Sequence, residues 1–328
     1  MEEKNMNNKN ILIIGGTGSF GKGLIKELLN KEVSSIKVFA RNEFRMFSMI
    51  QQFESSKIKM VIGDIRDKEA ISKASRGIDL VFHLAALKHV PICEKMPNEV
   101  IATNILGTKH VIDAAIENNV QKVIFSSTDK AVNPDCTYGT SKLMGEKLIL
   151  SANEQQTATK FIVFRGGNLL NSAGSVIPIF NQQISETSQV TLTDDKMNRF
   201  FVSIETAAKM LIEIAEKAAG NEIFIPKMPS VKIEYIAKYL LTKKHLSNSN
   251  ISIIGLRPGE KISEQIISEN ERQNLFEFSE ELYVILKDDA HSWQANKVVK
   301  ALDSVHCTSN EYILTYDQTA QFLEVAGI

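Results

Sequence analysis

An apolar run, Asn10-Ile11-Leu12-Ile13-Ile14, passes without interruption into Gly15-Gly16-Thr17-Gly18-Ser19-Phe20-Gly21, and no other stretch of the chain restricts its possible folds as tightly. Glycines at 15, 18 and 21 let a backbone turn sharply, approach an anion closely and pack the next helix against the strand, with the anion at the helix N-terminus. A strand, such a loop and a helix at the start of the chain predict a dinucleotide-binding βαβ unit.

The following residues continue the alternation. Short β-branched runs are expected as strands at 10–14, 36–40, 59–62, 80–84, 122–126 and 160–165, with helix-period segments at 22–30, 68–75, 104–118 and 140–155 between them. This pattern implies an α/β fold, a Rossmann-type doubly wound parallel sheet. From about Gly166 it gives way to shorter mixed segments, punctuated by Pro226, Pro229 and Pro258-Gly259, with one more strand at 222–225. The expected division is a dinucleotide-binding domain over 1–165, a smaller C-terminal substrate domain over 166–287 with segments returning to the sheet, and an appendage of unassigned role over 288–328. With 328 residues, 43% of them hydrophobic, the chain has enough apolar material for two such units.

Charge and cysteine content narrow the partners. Lys and Arg number 38 against 39 Asp and Glu, a net charge of −1 that sets up no global field for a polyanion, so nucleic acid is not an expected partner. Cys93, Cys136 and Cys307 are odd in number and far apart, which suits buried thiols in a reducing compartment and neither a disulfide framework nor a zinc site. No run reaches the roughly 18 apolar residues of a membrane span, and the polar start MEEKNMNNKN lacks a leader's apolar core, so a cytoplasmic protein without a metal is expected.

The second strand ends in Ala40-Arg41-Asn42, where an acidic residue would accept from the ribose 2′-hydroxyl of NAD. Arg41 can instead hold a 2′-phosphate, which favours NADP over NAD. Asp64, after the third strand, either accepts from an adenine amino group or caps the helix that begins near Asp67. Farther on, Tyr138 and Lys142 stand four residues apart and share a helix face. A phenol titrates near 10 and serves as a base near neutrality only if a fixed cation stabilises the phenolate, which Lys142 is placed to supply. Asp129 and Lys130, at the end of a parallel strand where such sheets bind ligands, form a candidate acid and base pair.

On these residues the chain resembles the C5-inverting UDP-N-acetylglucosamine 4,6-dehydratases of the polysaccharide-biosynthesis group of extended short-chain dehydrogenases/reductases. The resemblance runs through Gly15 to Lys22, His83 to Pro91, Thr103 to Thr108, Ser127 to Pro134, Tyr138 to Lys142, Gly174 to Pro178, Arg199 to Phe201, Ile225 to Ser230 and Gly255 to Lys261. It implies a catalytic set of Thr128, Asp129, Lys130, Tyr138 and Lys142, with Asn104 holding the active-site helix and its waters. The implied cofactor site comprises Gly15, Thr17, Gly18, Ser19, Phe20, Gly21, Arg41, Asp64, Ile65, Ala85, Ala86, Asn104, Tyr138 and Lys142. Lys88, His89 and Asn168 would line the sugar pocket, while Arg199, Arg257 and Glu260 would hold the diphosphate and nucleoside. Gly166 and Ala173 stand where the family commonly carries tyrosine and arginine, Ile14 where it carries threonine, and Cys136-Thr137 where a more apolar pair is usual.

The implied activity is a redox-neutral dehydration of a UDP-sugar by a homo-oligomeric enzyme. A UDP-sugar 4-epimerase would share the glycine loop, Tyr138 and Lys142 but has no use for Asp129-Lys130. A cofactor-binding protein without turnover would have no use for Tyr138 and Lys142.

Overall fold

The computed structural model describes residues 6–155, 157–286, 299–300 and 305–328, so 288–298 and 301–304 of the expected appendage lie outside the described residues. Six parallel strands come first: β1 (Asn10–Ile14), β2 (Ser35–Ala40), β3 (Ile58–Ile62), β4 (Leu80–His83), β5 (Lys122–Thr128) and β6 (Lys160–Gly166). Shorter strands follow: β7 (Asn168–Leu169), β8 (Val190–Leu192), β9 (Asn198–Val202), β10 (Glu222–Pro226), β11 (Ser230–Lys232), β12 (Ile251–Ile253), β13 (Leu275–Glu277), β14 (Leu282–Leu286) and β15 (Val299–Lys300). Among the described residues ten strands form one sheet in the order β15-β13-β14-β10-β6-β5-β4-β1-β2-β3. From β3 to β10 every pairing is parallel; β14, β13 and β15 close that edge antiparallel. The strand order reverses between β1 and β4, the position at which an open α/β sheet leaves a crevice beyond its strand ends.

Strand alternation builds the core on both faces. Ile11, Ile13, Phe82, Ile124 and Ile162 pack under the helices Ser19–Leu29 and Ile204–Lys217. Their neighbours Leu12, Ile14, Val81, Val123 and Phe161 meet Ile71, Val111, Ala115 and Ile149 of the helices Lys68–Ser75, Gly107–Glu117 and Thr137–Ser151 on the other. A third cluster, from Leu170, Phe180, Leu192, Phe201, Ile236, Leu240 and Leu323, gathers the later segments. The final helix, Tyr316–Val325, belongs to it, with Leu323 wholly buried.

The structure shifts several expected boundaries for identifiable reasons. The first helix begins at Ser19 rather than at 22, so Gly21 lies inside its first turn, where a Cβ would stand 2.3 Å from the Gly16 carbonyl oxygen. The helix expected from 140 begins at Thr137, because the Cys136 thiol acts as its cap, Sγ accepting from Gly139 N–H at 3.4 Å. The segment expected as one helix over 104–118 opens with a π-helical turn, Ile101–Leu106, before Gly107–Glu117. The helix Glu43–Phe53 was not anticipated; Asn42 caps it by accepting from Arg45 N–H.

Arg165 at the end of β6 secures this framework to the site. It is almost wholly buried and donates to both oxygens of Glu146 at 3.0 and 2.8 Å, to both of Glu271 at 3.0 and 2.8 Å, and to the Ile266 carbonyl. It thereby fixes the helix Thr137–Ser151 to the segment around 266–271. Arg165→Met leaves the buried Glu146 carboxylate without its counter-charge, a change that typically costs about 3–5 kcal/mol. Chemical denaturation should show a loss of that size, well beyond that of an exposed pair such as Lys209→Met at the Lys209–Glu205 bridge.

Candidate active site

The crevice receives the ends of β1, β4, β5 and β6. Strand β5 runs to Thr128 and then tightens into a 3₁₀ turn, Asp129–Ala131, which places Asp129 and Lys130 at the C-terminal end of a central strand. The helix carrying Tyr138 lies directly on this turn. A Cβ at Gly139 would sit 2.1 Å from the Lys130 carbonyl oxygen, so the glycine of Tyr-Gly-Thr-Ser-Lys is what permits the contact. The Thr128 hydroxyl donates to Asp129 Oδ1 at 2.9 Å, and the Lys130 ammonium donates to the same oxygen at 3.0 Å. Asp129 is fully buried, and its second oxygen, Oδ2, has no hydrogen-bond partner among the described residues.

Electrostatics separates the three titrating groups. Burial, reinforced by the Asp129 charge, pushes the Tyr138 phenol well above its ordinary value, against the Thr128 hydroxyl, which favours the phenolate. Lys142 is buried with its ammonium 3.8 Å from the Phe125 ring centre and has no hydrogen-bond partner among the described residues. Burial brings it down to about 7, only partly offset by Glu146. Burial would also lower Lys130, but the Asp129 and Glu264 carboxylates outweigh it and hold the ammonium above the usual lysine range. Lys130 thus rests as a cation.

The residues around the glycine loop fit a dinucleotide. Gly15 adopts φ +82°, and a Cβ there would meet the Ala85 backbone at 2.8 Å, so the turn can be made only by glycine. Gly18 caps the first helix without a side-chain bond, leaving that helix's first amides available to a phosphate. Thr17, Ser19 and Phe20 lie in the same turn, and Ala86 follows Ala85 on the β4 loop. Arg41 is half exposed with its guanidinium 3.5 Å from Asp64, beside buried Ile65. Asp64 accepts from Arg66 at 2.6 Å, and Asp67, not Asp64, caps the helix Lys68–Ser75. Asn104 turns its side chain to the protein: Oδ1 accepts from Leu87 N–H, and Nδ2 donates to the Leu87 carbonyl and to Ser141 Oγ, tying the π-turn to the tyrosine helix.

The residues implied for the sugar nucleotide are divided. Lys88 donates to the Ala173 carbonyl at 3.1 Å, while Ala173 N–H donates to Ser19 Oγ at 2.9 Å and Gly174 packs on the His89 ring, so the 171–175 loop bridges the two sides of the crevice. Asn168 donates to the Phe200 carbonyl. Arg257, half exposed, pairs at 2.7 Å with the largely covered Glu260. Arg199, by contrast, is buried, its guanidinium donating to the carbonyls of Asn198, Ile262 and Lys261. Sequence reasoning missed Glu264, which is buried with Oε1 3.2 Å from the Lys130 ammonium and 3.7 Å from Arg199 Nε. No motif marks it; only its closeness to Lys261 could have drawn attention. A cavity of about 580 Å³ lies elsewhere, between the first helix, Ser203 and the final helix, and contains none of these groups. Its mixed lining holds no buried titrating cluster, so the strand-end crevice is the better candidate.

Residues 11–286 match the model of a family described as polysaccharide biosynthesis protein. A UDP-N-acetylglucosamine 4,6-dehydratase (inverting) from Campylobacter jejuni is 46% identical over 283 residues, 85% of this chain and 83% of that protein. A UDP-glucose 4-epimerase from Rickettsia massiliae is 40% identical over 269 residues, 80% of this chain and 79% of that protein. Among solved structures, Pen from Bacillus thuringiensis superposes with a TM-score of 0.90 at 35% identity over 98% of this chain and 99% of that one. A dTDP-glucose 4,6-dehydratase from Streptomyces venezuelae, solved with NAD, shares the fold at a TM-score of 0.71 and 18% identity over 77% of this chain and 86% of that one. The chain therefore belongs to the polysaccharide biosynthesis protein family, within the extended short-chain dehydrogenases/reductases.

Proposed function

We propose that this chain is a nucleotide-sugar 4,6-dehydratase that acts on UDP-N-acetylglucosamine and inverts C5. The observation that carries this reading is the Asp129–Lys130 pair at 3.0 Å, placed at the end of β5 against the tyrosine helix with one Asp129 oxygen unpartnered. Residues of the glycine loop, Arg41, Asp64 and Lys142 would hold a nicotinamide dinucleotide, which when bound supplies a reversible hydride acceptor. Tyr138, as phenolate stabilised by Lys142, removes the C4 hydroxyl proton. With the C4 hydride passed to that acceptor, the resulting ketone acidifies the C5 hydrogen; the same hydride would return at C6 after water is lost, with C5 reprotonated from the opposite face. One proton passing from Lys130 to Asp129 then creates both a neutral amine and a carboxylic acid, with no change in total charge. The amine takes the C5 proton, and Asp129 gives its proton to the departing C6 hydroxyl, which leaves as water.

The 40% identical epimerase keeps a second reading open, in which Tyr138 and Lys142 serve C4 redox chemistry alone. An epimerase leaves the mass of the sugar nucleotide unchanged, whereas the dehydratase removes one water. Mass spectrometry of UDP-N-acetylglucosamine incubated with the protein decides between them. In deuterated water the product should carry deuterium at C5, and label placed at C4 should appear in the C6 methyl. Retention of the original C5 hydrogen would overturn the assigned role of Lys130.

NADP is the cofactor we propose, on the strength of Arg41 at the end of β2, although the structurally similar Streptomyces enzyme was solved with NAD. Arg41→Ala should weaken NADP binding by about tenfold to a hundredfold, the worth of a charge-assisted hydrogen bond, and NAD binding much less. Equal losses in a fluorescence titration would rule the assignment out. A second copy of the chain is the other partner we propose, because Ile92, Met96, Ile101, Leu106 and Met144 stand about half exposed on neighbouring helices.

Lys142 yields a stability test. Its value of about 7 lies below the roughly 10.4 of a free lysine, so folding disfavours the charged form. Below pH 7 folded and unfolded chains both hold the proton and the full cost applies; between about 7 and 10 the unfolded chain binds more, and stability from this group rises with pH. Lys142→Met should abolish turnover yet raise the Tm of the cofactor-stripped protein at pH 6.5 by at least about 2–4 °C, the gain shrinking toward pH 10. Differential scanning calorimetry across pH measures it.

A further inference from the structure

Glu264 belongs to no motif and has no place in the acid and base chemistry described above, yet it is among the most firmly held side chains of the crevice. Its carboxylate is 4% exposed and touches two cations, Lys130 and Arg199. Its main chain is clamped by a residue from near the chain's end: Glu264 N–H donates to Ser309 Oγ at 2.9 Å, and Ser309 N–H donates to the Glu264 carbonyl at 2.9 Å. Ser309 is wholly buried, donates through its hydroxyl to Asn198 Oδ1 at 2.6 Å, and accepts at its carbonyl from Ser230 Oγ. Three segments distant in sequence thus converge to hold one carboxylate against Lys130.

We infer that Glu264 is a positioning residue for the elimination step, the permanent anion that keeps Lys130 in place while Asp129 is neutral, and that the segment around Ser309 exists in part to seat it. This rests on the dehydratase reading. Once Asp129 has taken its proton, Lys130 has lost that counter-charge, and when the amine then accepts the C5 proton a buried ammonium forms beside a neutral acid. An uncompensated buried cation is costly, so the barrier depends on an anion that does not itself change protonation. Glu264 meets that requirement by geometry. Arg199, bound to three carbonyls and lying 3.7 Å from the same carboxylate, is a second fixed cation beside it. The other titratable groups facing Asp129, Lys130 and Glu264 are the Tyr138 phenol and the buried Cys136 thiol, both pushed up by burial and so neutral at rest.

The test uses the full chain with bound cofactor and UDP-N-acetylglucosamine. Glu264→Gln keeps the shape and the main-chain clamp to Ser309 but removes the charge. Cofactor affinity, KM and the single-turnover rate of cofactor reduction should stay within about twofold of the parent, while kcat for water loss falls about a hundredfold, within the range of acid–base effects. The basic limb of the kcat profile, governed by loss of the Lys130 proton, should move to lower pH by about one to three units, as removal of a neighbouring opposite charge requires. A merely structural role would slow reduction and elimination alike and leave the limb in place. Such a result, or an unchanged kcat, overturns the inference. If Glu264→Gln does not accumulate as folded protein, Ser309→Ala carries the test: every charge remains, so kcat should fall about tenfold through misplacement with no movement of the limb, and an unchanged kcat overturns the inference. Failure of the parent protein to release water is a separate result, since it defeats the dehydratase reading itself.

Discussion

The site depends on how closely backbone can approach backbone at the reversal between β1 and β4. A Cβ at Gly15 would strike Ala85 and one at Gly21 would strike the Gly16 carbonyl, so the first helix and the β4 loop meet with no side chain between them. That approach opens the crevice in which β5 can present Thr128, Asp129 and Lys130. The same device recurs at Gly139, whose missing Cβ lets the tyrosine helix rest on the Lys130 turn. Glycine here acts through what its absence of a side chain allows neighbours to do, more than through unusual torsions.

Around this framework the protein tolerates costly charge. Lys142 is buried against the Phe125 ring and, among the described residues, Asp129 keeps one oxygen unpaired, arrangements that a chain selected for stability alone would not retain. The surrounding structure offsets them. The Arg165 guanidinium satisfies Glu146 and Glu271 from both sides, and both faces of the sheet are packed with branched and aromatic side chains. The charge at the centre is thus offset by ion pairing and apolar packing around it.

The later part of the chain does more than cover the sheet's edge. Strands β10, β14, β13 and β15 extend the sheet beyond β6, the final helix fills the third cluster, and Ser309 joins Ser230, Asn198 and Glu264 into one buried polar knot. That knot reaches the Lys130 ammonium directly, through the Glu264 carboxylate 3.2 Å away. The distance in sequence from Lys130 to Ser309 is most of the chain, which is why no local pattern announces it.

What the sequence determined by itself was local. The glycine loop with its strand and helix, the alternation that makes a parallel sheet, and Tyr138 four residues before Lys142 all lie within short windows, where steric limits and helical period act directly. Arg41 and the Asp129-Lys130 step were legible because strand ends are where such sheets bind ligands. Only the tertiary structure decided that Asp67 rather than Asp64 caps the helix after β3, that the Arg199 guanidinium is spent on carbonyls, and that Lys130 rests as a cation. It also brought in Glu264, because charge state and ion pairing depend on burial and on partners that a linear pattern does not contain, and those are set when residues far apart in the chain are excluded from water together.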